Sequence, residues 1–225
     1  MCRHGLAANA MPLPPIEARD LMLATLGRRP FSGNDWLFEL KYDGYRCLVR
    51  KTGASVELVS RAGNLLNPSF PDIVEAVAAV PLDFALDAEL TVDEANGRSS
   101  FDHLRRRAVT KTPMRVRAAV ASHPARLYLF DALSLDGQDL RALPLVERKA
   151  YLREAVADTK TLIYASGIVG AGEWVFEQAQ SLDLEGMVAK RLSSPYQRGR
   201  SLDWLKIKNA DYGRPVALGW GRTKD

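Results

Sequence analysis

Lys41-Tyr42-Asp43-Gly44-Tyr45-Arg46 has the form K-x-D-G-x-R, four fixed positions that chance supplies in roughly one chain of this length in a thousand. The Lys41 amine is a nucleophile once it has lost its proton. An ordinary lysine titrates near about 10.4, so that use at neutral pH calls for desolvation or neighbouring cations. Arg46, Lys206 and Lys208 are cations suited to supply that field. In Trp204-Leu205-Lys206-Ile207-Lys208 the two lysines are two apart, so on a strand both point to one face while Leu205 and Ile207 point to the core. Glu185 is a carboxylate of the kind that hard divalent cations take as a ligand. A set rich in Lys, Arg and Glu suits phosphoryl transfer, which depends on positioning and charge neutralisation more than on proton shuttling. His4, His103 and His123 have neither metal nor triad spacing and are given no role.

The elements that must position these residues alternate between strand and helix patterns. Two apolar runs, residues 36–41 and 45–51, flank Asp43-Gly44, a turn signal, so Lys41 sits where a strand opens into a turn. Residues 55–60 read as a strand, and Ile73, Val74, Val77 and Ala78 carry helical spacing. Phe84, Leu86, Ala88, Leu90 and Val92 alternate with Ala85, Asp87, Glu89 and Thr91, which places Asp87 and Glu89 on the face opposite the apolar one. Further strands are expected at 126–133 and 161–166, helices at 145–157 and 172–182, and two last strands around 184–192 and 203–208. About eight strands without strict alternation with helices favour an α+β fold over a parallel Rossmann sheet.

Taken in order, the motifs resemble those of covalent nucleotidyltransferases in their DNA ligase form. After K-x-D-G-x-R come Ser60-Arg61-Ala62-Gly63, Leu86-Asp87-Ala88-Glu89-Leu90, Leu129-Phe130-Asp131-Ala132-Leu133, Leu184-Glu185-Gly186-Met187-Val188-Ala189-Lys190 and Trp204-Leu205-Lys206-Ile207-Lys208. With Leu21 to Phe31, the likeness to bacterial ATP-dependent DNA ligases runs from about residue 21 to residue 208, and Ala88 departs from the usual Gly. The resemblance implies an ATP-grasp-like adenylation domain built on antiparallel sheets flanked by helices. It implies that Lys41 takes AMP from ATP, that AMP passes to a 5′-phosphate of nicked double-stranded DNA, and that a 3′-hydroxyl then seals the strand with Mg²⁺ or Mn²⁺ assisting. By the same likeness Glu185 and Glu89 are metal positions, Glu89 alternatively meeting the ribose. Phe130 stacks on adenine, Glu39 reads the adenine amino group, and Arg46 and Arg61 touch phosphate or ribose. Lys206 and Lys208 meet phosphate oxygens, and Asp43 forms the turn. Lys190 admits two readings, an active-site cation or an ion-pair partner. The alternatives are an RNA ligase or GTP-using capping enzyme, and a non-catalytic nucleic-acid-binding remnant of a ligase.

Composition bounds this reading. Thirty-one Lys and Arg against 27 Asp and Glu leave a net charge of +4, compatible with a polyanionic partner. Arg105, Arg106, Arg107, Lys111, Arg115 and Arg117 form a run without acidic residues, a candidate patch for the DNA backbone. Cys2 and Cys47 make no disulfide framework, and no apolar stretch approaches the roughly 20 residues of a membrane span, so a soluble, cytoplasmic protein is expected, and the resemblance implies a monomer acting in DNA repair or recombination. Residues 1–20 read as a flexible lead-in, 21–209 as the adenylation domain, and 210–225 as a tail. Full ligases continue into an OB-fold after W-x-K-x-K. Only 17 of the 225 residues follow Lys208, so an incomplete OB-fold is expected, its first strand beginning at 216–222 and its function supplied by a domain or repair protein in trans.

Overall fold

The computed structural model describes residues 15–94 and 97–213, and the reading of a strand at 216–222 lies outside the described residues. In chain order the elements are β1 (Met22–Leu26), β2 (Trp36–Leu40), β3 (Tyr45–Thr52), β4 (Ser55–Ser60), α1 (Pro71–Ala78), β5 (Phe84–Val92), α2 (Phe101–Val109) and α3 (Pro113–Ser122). They continue with β6 (Ala125–Leu135), β7 (Gln138–Asp139), α4 (Leu145–Ala155), β8 (Leu162–Tyr164), β9 (Gly167–Val169), α5 (Gly172–Ser181), β10 (Gly186–Arg191) and β11 (Gly199–Lys208). Two sheets result, ordered β1-β11-β10-β2-β9 and β4-β3-β5-β6-β7, with β8 added beside β6. Pairing is antiparallel except for β1 with β11 and β6 with β8. This is the expected α+β class.

Each sheet buries one face under helices and turns the other toward its partner. Phe84, Leu86, Ala88, Leu90 and Val92 join Leu104 of α2, Ile73 of α1 and Leu152 of α4 in one apolar cluster. Trp36, Phe38, Met187, Ala189 and Ile207 of the other sheet pack on Val175 of α5. Between the sheets, Met22 and Trp204 meet Leu48, Ala85 and Leu133. The alternation in β5 therefore sorts residues between two buried faces. Asp87 is fully buried on the inter-sheet side, where it holds Arg46 and accepts the Tyr196 hydroxyl at 2.5 Å.

Two sequence expectations change in three dimensions. The runs flanking Asp43-Gly44 form no hairpin: β2 pairs with β9 and β10, whereas β3 pairs with β4 and β5, so residues 41–44 cross from one sheet to the other. Gly44 serves this crossing by its lack of a side chain, since a Cβ there would lie 2.3 Å from the Leu90 carbonyl oxygen. The strand expected at 161–166 is the shorter β8, and the chain then crosses back to form β9, a strand not expected from the sequence, in the other sheet. The basic run at 105–117 is carried by α2 and α3. No described helix is long and apolar enough to cross a membrane.

Candidate active site

A cleft of about 920 Å³ opens where both crossings leave the sheets, and Lys41, Glu39, Arg46, Arg61, Glu89, Phe130 and Lys206 all contribute to its walls. Lys41 projects from the end of β2, its backbone N–H bonded to the Gly186 carbonyl at 2.9 Å and its ammonium donating to Glu185 at 2.5 Å. Glu185 precedes β10, and Gly186 has φ 136°, a conformation only glycine adopts easily. The register that sets Val188 between Glu39 and Lys206 brings the nucleophile strand and the two-lysine strand into one sheet. Lys206 has its ammonium pushed down by partial burial, with Lys208, Lys41 and Arg200 adding repulsion. Lys208 is more than half exposed and lies 4.0 Å from the other Glu185 oxygen.

Opposite stands β3–β5–β6. Glu89 and Arg46 are cross-strand partners in register. Burial pushes the Glu89 carboxyl up to about 7, against the pull of Lys41 and Arg46 and helped by the charges of Glu185 and Asp87. Arg46, which the resemblance has touching phosphate or ribose, lines the cleft with its Nε and Nη2 both engaged by Asp87, and Nη2 also donates to the Met22 carbonyl at 3.0 Å. Asp87 holds it because a buried guanidinium requires a carboxylate of matching geometry. Its cation lies 4.7 Å from the Phe130 ring centre, and the Lys190 ammonium lies 4.3 Å from the same centre. Arg61 is exposed at the rim.

Glu39 is buried and accepts from Lys149 and pairs with Lys190, each at 2.5 Å. Of the two readings of Lys190, the geometry gives the ion pair. Lys149 carries no functional role in the sequence reading, where it only shares the helical spacing of Leu145, Leu152 and Val156. Its ammonium also donates to the Ala165 carbonyl at 2.5 Å, tying the second crossing to the strand that carries Lys41. Of the basic run, Lys111 lines the cleft and Arg106, Arg115 and Arg117 are exposed. Arg107 is 2% exposed and bound to Asp72 at 2.6 Å and to the Ser69 and His123 carbonyls, so it is a structural residue and unavailable to DNA.

The Glu89 environment gives a signed prediction. A folded-state carboxyl raised from its ordinary 4.5 to about 7 costs nothing below pH 4.5, and the cost grows through the interval and is complete above pH 7. Glu89→Gln is therefore expected to stabilise the ligand-free fold by on the order of 1–3 kcal/mol at pH 8 and by little at pH 4.5. Urea denaturation at the two pH values measures it, and an equal effect at both would contradict it.

A Lys41 in a cleft walled by Glu, Lys and Arg is the arrangement of a covalent nucleotidyltransferase. The family model described as the ATP dependent DNA ligase domain matches residues 22–208, and the chain belongs to this family as its adenylation domain. It is 30% identical over 194 residues to the SPbeta prophage-derived DNA ligase-like protein LigB of Bacillus subtilis, covering 86% of this chain and 68% of that protein. It is 32% identical over 226 residues to the multifunctional non-homologous end joining protein LigD of Pseudomonas aeruginosa, covering 99% of this chain and 25% of that one. The solved ligase domain of M. tuberculosis LigD superimposes with a TM-score of 0.70 at 29% identity, over 84% of this chain and 60% of that domain. A mycobacterial DNA ligase D complexed with ATP and MES gives 0.68 at 28%, with the same coverage of both. The chain thus spans about two thirds of LigB and a quarter of the Pseudomonas protein.

Proposed function

We propose that this domain carries AMP covalently on Lys41 and delivers it to the 5′-phosphate of nicked DNA for sealing. The observation that carries the reading is the Lys41 amine, held 2.5 Å from Glu185 at the wall of the cleft. The neutral amine attacks the α-phosphorus of ATP; the P–N bond forms, the bond to the bridging oxygen breaks and pyrophosphate leaves. A 5′-phosphate oxygen then displaces Lys41, and the 3′-hydroxyl displaces AMP. Lys206 and Lys208 neutralise phosphate charge, and Arg61 stands at the rim for the DNA phosphate. Arg46 buttresses the Phe130 ring from its pairing with Asp87. Intact mass after incubation with ATP and Mg²⁺ tests this, since a gain of one AMP is expected and an unchanged mass would sink it.

The residues fit a divalent cation. Glu89 and Glu185 offer hard carboxylate oxygens, nucleotide phosphates supply others, and the raised Glu89 carboxyl marks a site where added positive charge is favourable. When bound, Mg²⁺ or Mn²⁺ polarises the phosphate oxygens.

In this reading Phe130 stacks on the base, and Glu39 reads its amino group. A carboxylate has about four acceptor positions, so the two ammonium contacts leave Glu39 able to accept from adenine, whereas guanine presents a carbonyl there. ATP is accordingly expected to label the chain in preference to GTP. Phe130→Ala should weaken ATP use by about 1–3 kcal/mol, the range for losing a base–aromatic stack. Equal labelling by GTP would favour the capping-enzyme alternative.

The exposed Arg106, Arg115 and Arg117 with Lys111 are the cations that meet the DNA backbone in this reading. Replacing Arg106, Arg115 and Arg117 together by Ala is expected to weaken nicked-DNA binding and flatten its dependence on salt, with a slope change of about 0.9 for each phosphate no longer neutralised. A slope unchanged from wild type would remove this face from the interface.

A further inference from the structure

Residues 41–44 carry the attacking amine across a gap between sheets: β2 ends at Leu40 and β3 starts at Tyr45, so sheet pairing holds the segment at its two ends and not through its middle. Something else must hold this segment, because Lys41 has a long side chain and acts only if its base is fixed. The Lys41 N–H on Gly186 is one tie. Asp43 is buried and accepts from the Tyr212 hydroxyl at 3.1 Å, and a further contact lies on Tyr42, the residue next to Lys41. Its ring stacks on Tyr128 with centres 3.7 Å apart and planes 15° apart.

Tyr128 is itself held. It is 7% exposed on β6, in register with Glu89. Its hydroxyl donates to Asp93 at 2.9 Å. Asp93 also accepts from Thr91 at 2.9 Å, Ser99 at 3.1 Å and Arg126 at 3.1 Å, so the acceptor is fixed from several directions. A side chain locked at its far end presents its ring in one orientation, and a stacked partner inherits that orientation.

We propose that Tyr128 is a positioning residue for the attacking amine: aimed by Asp93 and stacked on Tyr42, it fixes the crossing from which Lys41 projects. The proposal rests on Lys41 as the nucleophile. Neither Tyr128 nor Asp93 touches the reacting atoms. Their effect passes through Tyr42 and falls on the step in which the Lys41 amine attacks. Joining of DNA that already bears AMP uses the 3′-hydroxyl as nucleophile and does not call on this support.

The test measures two single-turnover rates on the full chain, AMP uptake from ATP and joining of nicked DNA already carrying AMP. Tyr128→Leu and Tyr42→Leu are each expected to slow AMP uptake about 10- to 100-fold at saturating ATP, as misplacement of a reacting group by about an ångström does. The ATP concentration giving half-maximal rate and the rate of joining should stay within about threefold of wild type. Tyr128→Phe keeps the stack but loses the bond to Asp93, so its rate of AMP uptake should fall between wild type and Tyr128→Leu. The double Leu variant should be no slower than either single, because both remove the same contact. If Tyr128→Leu does not fold, Tyr42→Leu and Tyr128→Phe carry the test, since one lies in the crossing and the other keeps the buried ring. Multiplying single effects, or equal loss of both rates, overturns the proposal. So does uptake at the wild-type rate in the variants, and in that case wild-type labelling leaves the Lys41 reading standing. A wild-type chain that takes no AMP overturns both.

Discussion

Replacing Lys41 by Ala is expected to abolish covalent AMP completely while leaving a folded domain. The amine is the atom to which the phosphorus bonds, and among the described residues no other lysine occupies its place: Lys206 approaches from strand β11, and Lys149 and Lys190 are engaged by Glu39. The substitution removes one partly exposed ion pair, to Glu185, and one flexible side chain at a strand end, so the change in stability should be about 1 kcal/mol or less. Lys41→Arg should be as inactive, because a guanidinium keeps its proton at any usable pH and cannot attack. The measurement is intact mass after ATP and Mg²⁺, with circular dichroism to show folding. Label on either variant would move the nucleophile elsewhere.

The largest expected effect on stability is at Asp131, next to Phe130 in sequence. Asp131 and Arg148 are both fully buried, and the guanidinium of α4 grips the carboxylate of β6 through Nε at 2.7 Å and Nη2 at 2.8 Å. Its Nη1 donates to the Leu143 and Ser194 carbonyls at 2.6 and 2.8 Å, so one side chain ties a helix, a central strand and the loop after β10. Asp131→Ala leaves that cation buried without a partner, which should cost about 3–5 kcal/mol. Against a total stability of about 5–15 kcal/mol for a domain, that is a large fraction. Removing both charges with Asp131→Leu and Arg148→Met should recover much of the loss, since the cost of the single variant is chiefly the uncompensated charge. Urea unfolding of Asp131→Leu, Arg148→Met and the double variant closes the cycle. A double variant as unstable as Asp131→Ala would mean that packing, not charge, governs this position.

How much of this was legible beforehand differs from residue to residue. The strand from Phe84 to Val92 was readable because its period is local: neighbouring side chains alternate, and apolar ones must leave water. The same holds for Lys206 and Lys208 with Leu205 and Ile207, and for the order of the motifs around Lys41. The sequence by itself determined which residue types stand at which strand positions, the α+β class, and the motif resemblance from which the family could be named. The tertiary structure alone decided what covers each face and which distant groups meet. Asp87 stands opposite the apolar face, yet it is buried against Arg46 and Tyr196 because a second sheet lies there. Arg107 belongs to a basic run, yet a turn of helix puts it against Asp72. Lys149 shares the helical spacing of Leu145, Leu152 and Val156, yet its partner Glu39 lies 110 residues away. Asp43-Gly44 carries the signal of a hairpin, and the chain uses it to pass between sheets. The physical reason is common to these cases: local pattern fixes the direction of a side chain relative to its own strand or helix, whereas burial and ion pairing depend on contacts between segments far apart in the chain, which no short window contains.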